Sequence, residues 1–338
     1  MNKNNKQMII GGVAIALVAG IGGTVYTNYI VNKTKTEIQT ESTERTELKN
    51  KTLKYLGEEH TPEEIETTLK DAFTKLDVDD NTQIVDTLLY GTYNAAAQYM
   101  ISDDETNELY HVMDENKNFD LTKIEDTELK DKIQALNDQH VVVRYVNGNM
   151  FYDVDYGYFA STYGDYINPE YKGMLEFYDK EKKEDYYNEE NDLLYTTVVE
   201  NRLDQLYGMI QSYTTTDILA LANECYNFYE AVYLGAYGQE YIFENGKIRQ
   251  DIFDSYQKYK DVTKDEKMKS FLTELIDDYN EVSLDKTTPI LEKIKSFCGL
   301  STSDETQEFS GSSNGNAEIV ESGSESNESE AVAKKSAE

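Results

Sequence analysis

The sequence is poor in several residue types that carry chemistry or break helices. It has no tryptophan, 3 prolines, 2 cysteines and 3 histidines in 338 residues. Scarce proline permits long helices, since proline breaks a helix interior. The cysteines form no C-x-x-C pair and the histidines form no H-E-x-x-H pattern, so the common Cys/His zinc motifs are missing.

Basic residues are also few compared with acidic ones. The chain has 32 Lys and Arg against 65 Asp and Glu, which gives a formal net charge of −33. A field of that sign repels the phosphates of nucleic acids and of anionic lipids, and it attracts cations and basic proteins. We therefore expect no nucleic-acid partner, and a protein partner with a basic surface.

The common catalytic motifs are missing as well. The chain contains no G-x-S-x-G, no G-x-x-x-x-G-K-[ST] and no G-x-G-x-x-G. Paired carboxylates such as Asp153 with Asp155 are frequent, but acid–base catalysis needs one carboxyl whose pKa is raised by burial. Since no pattern singles out such a pair, we expect a protein that is not an enzyme.

Tyrosine is abundant, with 28 residues. The densest stretch, residues 153–171, contains Tyr158, Tyr163 and Tyr166. These three rings could line a groove for a glycan or a peptide, or they could pack in a core with their hydroxyls at its rim. The absence of tryptophan favours the core interpretation.

Residues 8–31 form an apolar segment of 24 residues without charge. This length is enough to cross about 30 Å of hydrocarbon as a helix. The segment predicts a single-pass anchor or signal anchor in the cell membrane, with a cleaved signal peptide as the alternative. The short basic tail 1–7 favours an extracytoplasmic position for the rest of the chain.

The remaining chain divides into a stalk or linker at 32–60, a helical domain at 61–299 and an acidic tail at 300–338. Thr61, Pro62 and Glu64 form a helix start with a capping box, and an apolar stripe at helical spacing follows them. The tail has few large apolar side chains, so we expect it to be disordered. The fold class is therefore mainly α, a membrane-anchored multi-helix domain with one small β-hairpin and a disordered acidic C-terminal tail.

The predicted hairpin covers about 140–156. Asn147-Gly148 is the preferred two-residue turn, because both positions need positive φ. This turn sets a register in which Val146 faces Asn149 and Val143 faces Tyr152, and it gives the ribbon one apolar and one mixed face. A second stretch, 244–247, reads as a turn or as a second small hairpin.

Residues 114–125, DENKNFDLTKIE, approach the spacing of a calcium-binding loop. The candidate ligands, at positions 1, 3, 5, 7, 9 and 12, are Asp114, Asn116, Asn118, Asp120, Thr122 and Glu125. Position 6, where the loop needs glycine for its sharp turn, holds Phe119. The alternative is a solvated loop in which Asp120 or Thr122 caps the next helix.

Cys225 and Cys298 are the two cysteines. They are either buried thiols or, in an oxidising compartment, a disulfide bridge.

These features together predict a non-catalytic single-pass membrane protein of a bacterial cell envelope. Its acidic helical domain would serve protein–protein interaction or scaffolding in an envelope assembly, with no cofactor. A calcium-stabilised adhesion or sensing module is one alternative, and a cell-wall-active enzyme using carboxylates is the other.

Overall fold

Helices dominate the computed structural model, which describes residues 43–58, 60–188, 192–238 and 241–300. In these ranges the chain forms twelve α-helices, one 3-10 turn and three antiparallel strand pairs. The prediction of a mainly helical fold with an antiparallel strand pair is confirmed.

The elements follow one another in two series. The first series is α1 (Thr43–Leu56), α2 (Pro62–Phe73), α3 (Val78–Ala97), α4 (Asp103–Val112), the 3-10 turn Leu121–Lys123, α5 (Thr127–Asn137), β1 (Val141–Val146), β2 (Asn149–Val154), α6 (Tyr156–Tyr163) and α7 (Pro169–Glu181). The second series is β3 (Tyr187–Asn188), β4 (Leu193–Leu194), α8 (Thr196–Ser212), α9 (Thr216–Leu234), β5 (Phe243–Glu244), β6 (Lys247–Ile248), α10 (Gln250–Val262), α11 (Glu266–Glu281) and α12 (Thr288–Phe297).

Helix α2 begins where the sequence predicts. The Thr61 side chain accepts a hydrogen bond from the Glu64 N–H at 3.3 Å, and the Thr61 N–H donates to Glu64 Oε2 at 2.9 Å. The same reciprocal box, between Ser102 and Glu105, starts α4. Each box satisfies backbone N–H groups that the first helical turn leaves without partners.

The β1–β2 hairpin has the predicted register. Val146 pairs with Asn149 and Val143 with Tyr152. Asn147 and Gly148 have φ angles of 51° and 83°, which the two-residue turn requires.

The expectation of one hairpin is incomplete. A second hairpin, β5–β6, has Asn245 and Gly246 as its turn, within the stretch 244–247 that the sequence allows as a turn or a small hairpin, and β3–β4 forms a third strand pair. The strands of these two pairs have two residues each, so they are too short to show an alternating pattern in the sequence.

The buried residues divide between two cores. The smaller core lies on the apolar face of the β1–β2 hairpin, and its members are Ala96, Leu109, Val112, Ile124, Leu129, Ile133, Leu136, Val141 and Tyr152. The main core lies among α1 to α3 and α6 to α12. Its largest fully buried side chains include Tyr163, Tyr229, Tyr233, Tyr256 and Tyr279.

The mixed face of the hairpin is also covered. Arg144 Nη2 lies 3.5 Å from Asp179 Oδ1 on α7, and Asp153 is only 5% exposed. The hairpin therefore joins the smaller core to α7.

Helix α1 falls inside the segment that the sequence assigns to a stalk. Leu56 is buried, and Arg45 and Lys49 form ion pairs with the buried Asp80 of α3. A buried carboxylate needs nearby cations, and here α1 supplies them to α3. Residues 43–56 therefore pack as part of the helical domain.

No helix within these described ranges is both long enough and apolar enough to cross a lipid bilayer. This finding contradicts the predicted localisation as a single-pass membrane protein of the cell envelope with an extracytoplasmic domain, and we do not retain that localisation. The predicted anchor 8–31 lies outside the described residues, as do the tail 1–7, the stalk up to residue 42 and residues 301–338.

Candidate interaction surface

The candidate calcium loop is held by its own hydrogen bonds. The Asp114 carboxylate accepts the N–H groups of Asn116 at 2.8 Å and Asn118 at 2.9 Å. These bonds hold the pKa of Asp114 below its ordinary value. Asp120 caps the 3-10 turn and accepts the Thr122 N–H at 3.1 Å and its hydroxyl at 2.6 Å.

The loop turns at a different residue from the one that calcium binding would need. Its positive φ, 63°, is at Lys117 and not at Phe119. The Lys117 ammonium forms an ion pair with Asp185, and Asp185 accepts the N–H of Asn147 in the hairpin turn at 2.7 Å. Asp185, in the segment after α7, thus connects the loop to the hairpin turn.

Asp120 therefore caps only the 3-10 turn, and the next helix, α5, is capped by Asp126 and by neither Asp120 nor Thr122. In the part of the chain that the structure describes, no three or more His, Cys, Asp or Glu side chains are grouped to hold a metal ion. Asp114, Asp120 and Glu125 thus form no such group. Calcium binding stays a prediction without geometric support.

Two of the three candidate tyrosines, Tyr163 and Tyr166, pack against Phe73 of the main core, and the third, Tyr158, packs against Tyr163. Tyr163 is 1% exposed and meets Phe73 edge-on at 5.7 Å. Tyr166 lies 5.7 Å from Phe73, and Tyr158 stacks on His140 at 3.5 Å between ring centroids. The rings pack against one another and against core side chains, as the core interpretation expects.

Both cysteines are free thiols, so the bridge considered from the sequence is not formed in this structure. Burial raises the pKa of Cys225 to about 11 and that of Cys298 to about 12. Such thiols stay protonated at neutral pH and are poor nucleophiles.

Many carboxylates of the main core accept hydrogen bonds from tyrosine hydroxyls. Examples are Tyr226 to Asp265 at 2.6 Å, Tyr229 to Glu181 at 2.5 Å, Tyr233 to Glu200 at 2.9 Å and Tyr259 to Asp204 at 2.9 Å. The sequence shows no signal for these pairs, since each joins residues that are far apart along the chain. They give part of the acidic composition a structural role.

Two carboxyls that are at most 5% exposed have raised pKa values that the sequence did not reveal. Burial raises the pKa of Asp153, and it raises that of Glu230 to about 7. The nearest charges to Asp153 include Lys182, whereas those near Glu230 are Lys267 and Asp265. Because these surroundings do not overlap, the two acids do not form a two-carboxylate site.

One open cavity of about 510 Å³ lies beside the β5–β6 turn. It is lined by Asp192, Gly238, Phe243, Glu244, Asn245, Gly246, Arg249 and Lys286. Arg249 Nη1 donates to the Asp192 carbonyl at 2.9 Å, and Lys286 Nζ donates to the Gly238 carbonyl at 3.2 Å. Both cations therefore hold neighbouring loops in place.

A different surface combines exposed rings with carboxylates, and we call it the tyrosine face. It is formed by one side of three helices: Asp86, Tyr90 and Tyr93 of α3; Asp217, Leu221, Cys225 and Phe228 of α9; and the half-buried Tyr178 of α7, with the buried Tyr171 of α7 beneath the surface. On each helix these residues recur at spacings of three, four, seven or eight, which places them on one side.

Direct contacts place the three helices next to one another. The buried Tyr171 hydroxyl donates to Asp86 Oδ1 at 2.6 Å, which joins α7 to α3. Cys225 Sγ lies 3.6 Å from Tyr178 Oη, which joins α9 to α7. Tyr156 of α6 packs against Tyr178 with 5.4 Å between ring centroids.

The tyrosine face is aromatic at its surface and acidic at one end. Tyr90 is 48% exposed, Phe228 39% and Tyr93 36%. Burial raises the pKa of the Asp86 carboxyl, the hydrogen bond from Tyr171 opposes that rise, and the negative charge of Asp217 adds to it. A cation arriving beside Asp86 and Asp217 would relieve this repulsion.

We compared the chain with models of protein families, with curated proteins and with solved structures, and found no match.

Proposed function

We propose that this chain is a non-catalytic interaction module, whose acidic helical domain binds or scaffolds a protein partner with a basic surface. The observation that carries the proposal is the distribution of charge. Most lysine and arginine side chains of the described ranges lie within 4 Å of the chain's own carboxylates, as Lys132 does with Glu105 and Lys293 with Asp278.

These internal ion pairs leave a surplus of carboxylates. Because the positive charges are already matched nearby, the surplus gives the surface a negative field, and the net charge of −33 measures its size. Such a field increases the rate of encounter with basic proteins and suppresses association with acidic ones. The preferred partner is therefore basic.

The hydrogen bonds of two half-buried carboxylates support a non-catalytic role. Glu181 and Glu200 accept hydrogen bonds from Tyr229 and Tyr233, so these carboxylates stabilise helix packing. A carboxylate occupied in this way is poorly placed to take up a substrate proton.

The test is zero-length cross-linking of the full-length chain in the cells that produce it. A carbodiimide joins carboxylates directly to lysine amines, so it reports contacts between this chain's acids and a partner's lysines. We expect one recurrent second protein, joined through its lysines. When the treatment is repeated in a lysate of these cells, we expect a several-fold loss of capture as salt rises from about 0.05 M to about 0.5 M.

An unrelated chain of similar negative charge, expressed at the same level, is the control for non-specific capture. If no second protein recurs above this control, or if capture does not depend on salt, the proposal is wrong.

A further inference from the structure

We infer that the tyrosine face is the docking surface of this module, and that its occupant is a helical segment of the partner with Lys or Arg beside apolar side chains. This inference rests on the proposed function and adds the place of binding and the chemistry of the bound segment. It depends on the exposed rings, the neighbouring carboxylates and the dimensions of the face.

The exposed rings provide the apolar part of the surface. Tyr90, Tyr93 and Phe228 are three of the exposed large apolar side chains in the described residues, and they lie on helices that both contact α7. Aromatic side chains dominate the binding energy of protein interfaces, because they bury a large area and lose little conformational freedom. Their faces also attract the cationic groups of Lys and Arg.

The carboxylates provide the charge complementarity. Asp86 and Asp217 lie at one end of the face and repel each other. Glu181, Glu224 and Lys182 lie near Cys225 at the other end, and the positive charge of Lys182 opposes the effect of the two carboxylates on the thiol. A segment whose positive charge lies beside Asp86 and Asp217 and whose apolar side chains cover the exposed rings would match this pattern.

The dimensions fit a short helix. Asp86 and Tyr93 are seven residues apart on α3, a rise of about 10 Å, and Asp217 and Phe228 are eleven apart on α9, a rise of about 16 Å. These lengths correspond to about two to three helical turns, the usual length of a helix docked by residues at i, i+3, i+4 and i+7.

A second copy of this chain is a poor occupant. Each copy has a net charge of −33, so two copies repel each other, and the end of the face at Asp86 and Asp217 carries only negative charge for a second copy to meet. The carboxylates of the face attract a basic segment of another protein, whereas they repel the acidic surface of a second copy.

The experiment places a photo-reactive phenylalanine analogue in the full-length chain, one position at a time, in the cells that produce it. The test positions are Tyr90 and Phe228. The matched controls are Tyr110 of α4, which is 40% exposed, and Val262 at the end of α10, which is 69% exposed. We expect capture of a Lys- or Arg-rich segment at the test positions and little capture at the controls.

A second measurement uses the captured segment as a synthetic peptide. The double variant Tyr90→Ala with Phe228→Ala should bind it about tenfold more weakly than the unchanged chain. Val262→Ala should bind it as the unchanged chain does. Thermal unfolding checks that both variants are folded.

The outcomes separate this inference from the proposed function. Capture of a basic partner at Tyr110 or Val262 but not at Tyr90 or Phe228 overturns the docking surface and leaves the interaction module standing. If none of the four positions captures a protein and carbodiimide treatment also gives no partner, both the docking surface and the interaction module are overturned. Capture of a second copy of the chain at Tyr90 overturns the assignment of the occupant.

Discussion

The two cores of this molecule are built from different chemistry. The smaller core, on the apolar face of the β1–β2 hairpin, is almost entirely aliphatic, and Tyr152 is its one buried ring. The main core contains many buried tyrosines whose hydroxyls donate to carboxylates, such as Tyr226 to Asp265. The smaller core is therefore stabilised by burial of apolar area, and the main core also by hydrogen bonds to charged groups.

This difference shows where the acidic composition acts. The main core uses aspartate and glutamate inside the fold, where each needs a donor, and the surplus carboxylates remain at the surface. Changes of pH, and substitutions that remove a charged or polar side chain, should thus lower the free energy of unfolding mainly through the main core. In the smaller core, the stability should depend mainly on the volume of the apolar side chains.

The largest expected effect is the loss of Arg202 from the main core. This guanidinium is 3% exposed and donates to the Tyr229 hydroxyl at 2.9 Å and to the carbonyls of Glu181 and Glu184 at 3.2 and 2.5 Å. Arg202→Met should lower the free energy of unfolding by about 3–5 kcal/mol, because it leaves buried acceptors without a donor. Urea unfolding measures this change.

The matched control for Arg202 is Arg249→Met. Arg249 contacts Asp251 and the Asp192 carbonyl, and because both of these partners are solvent-exposed, its loss should cost about 1 kcal/mol or less. Equal costs for the two variants would contradict the structural role of Arg202.

The next effect is the loss of volume from the smaller core. Leu109 is 0% exposed, and Leu109→Ala should cost about 3 kcal/mol through lost burial and the cavity left behind. The cost should be the same at pH 5 and pH 8, since it involves no titrating group. A difference of more than about 1 kcal/mol between these pH values would contradict the claim that the smaller core is stabilised by apolar burial alone.

Glu230 should make the main core sensitive to pH. Burial raises its pKa to about 7, so the folded chain holds a proton that the unfolded chain releases near pH 4.5. The stability that this proton gives is complete below pH 4.5, is lost as pH rises towards about 7, and is absent above that value. The loss should be on the order of 2–3 kcal/mol.

Glu230→Gln mimics the protonated carboxyl and should remove most of that pH dependence. The variant should match the unchanged chain at pH 5 and be the more stable of the two at pH 8. Glu224→Gln, an exposed site on the same helix, is the control and should keep the original pH profile. An unchanged profile in Glu230→Gln would show that Glu230 is not the titrating group.

The smallest effect compares two tyrosine hydroxyls. Tyr226→Phe removes a hydrogen bond of 2.6 Å to Asp265 and should cost about 2 kcal/mol. In the described residues the buried Tyr152 hydroxyl has no hydrogen-bond partner, so Tyr152→Phe should change stability by less than about 0.5 kcal/mol. Similar costs at the two sites would mean that the hydroxyl partners do not distinguish the cores.

Features set by neighbouring residues could be predicted from the sequence. The capping box of Thr61 and Glu64 and the register of the β1–β2 hairpin follow from residues at most a few positions apart. Asn147-Gly148 is sufficient to define its turn, because few other residue pairs adopt two positive φ angles.

Features set by distant contacts could not be predicted. Lys117 takes the positive φ of its loop and reaches Asp185, which is 68 residues away along the chain. No local pattern marks Glu230 or Asp153 as buried among so many exposed acids. The tyrosine face likewise depends on α3, α7 and α9 lying side by side, an arrangement that helical spacing alone does not give.

The most direct test of the account is to map which carboxylates of the full-length chain a carbodiimide joins to partner lysines. We predict that the joined residues are Asp217 and Glu224, at and beside the tyrosine face, and that the exposed Asp277 and Glu281 of α11 stay unmodified by the partner. Links concentrated on Asp277 and Glu281, with none at Asp217 or Glu224, would contradict the account.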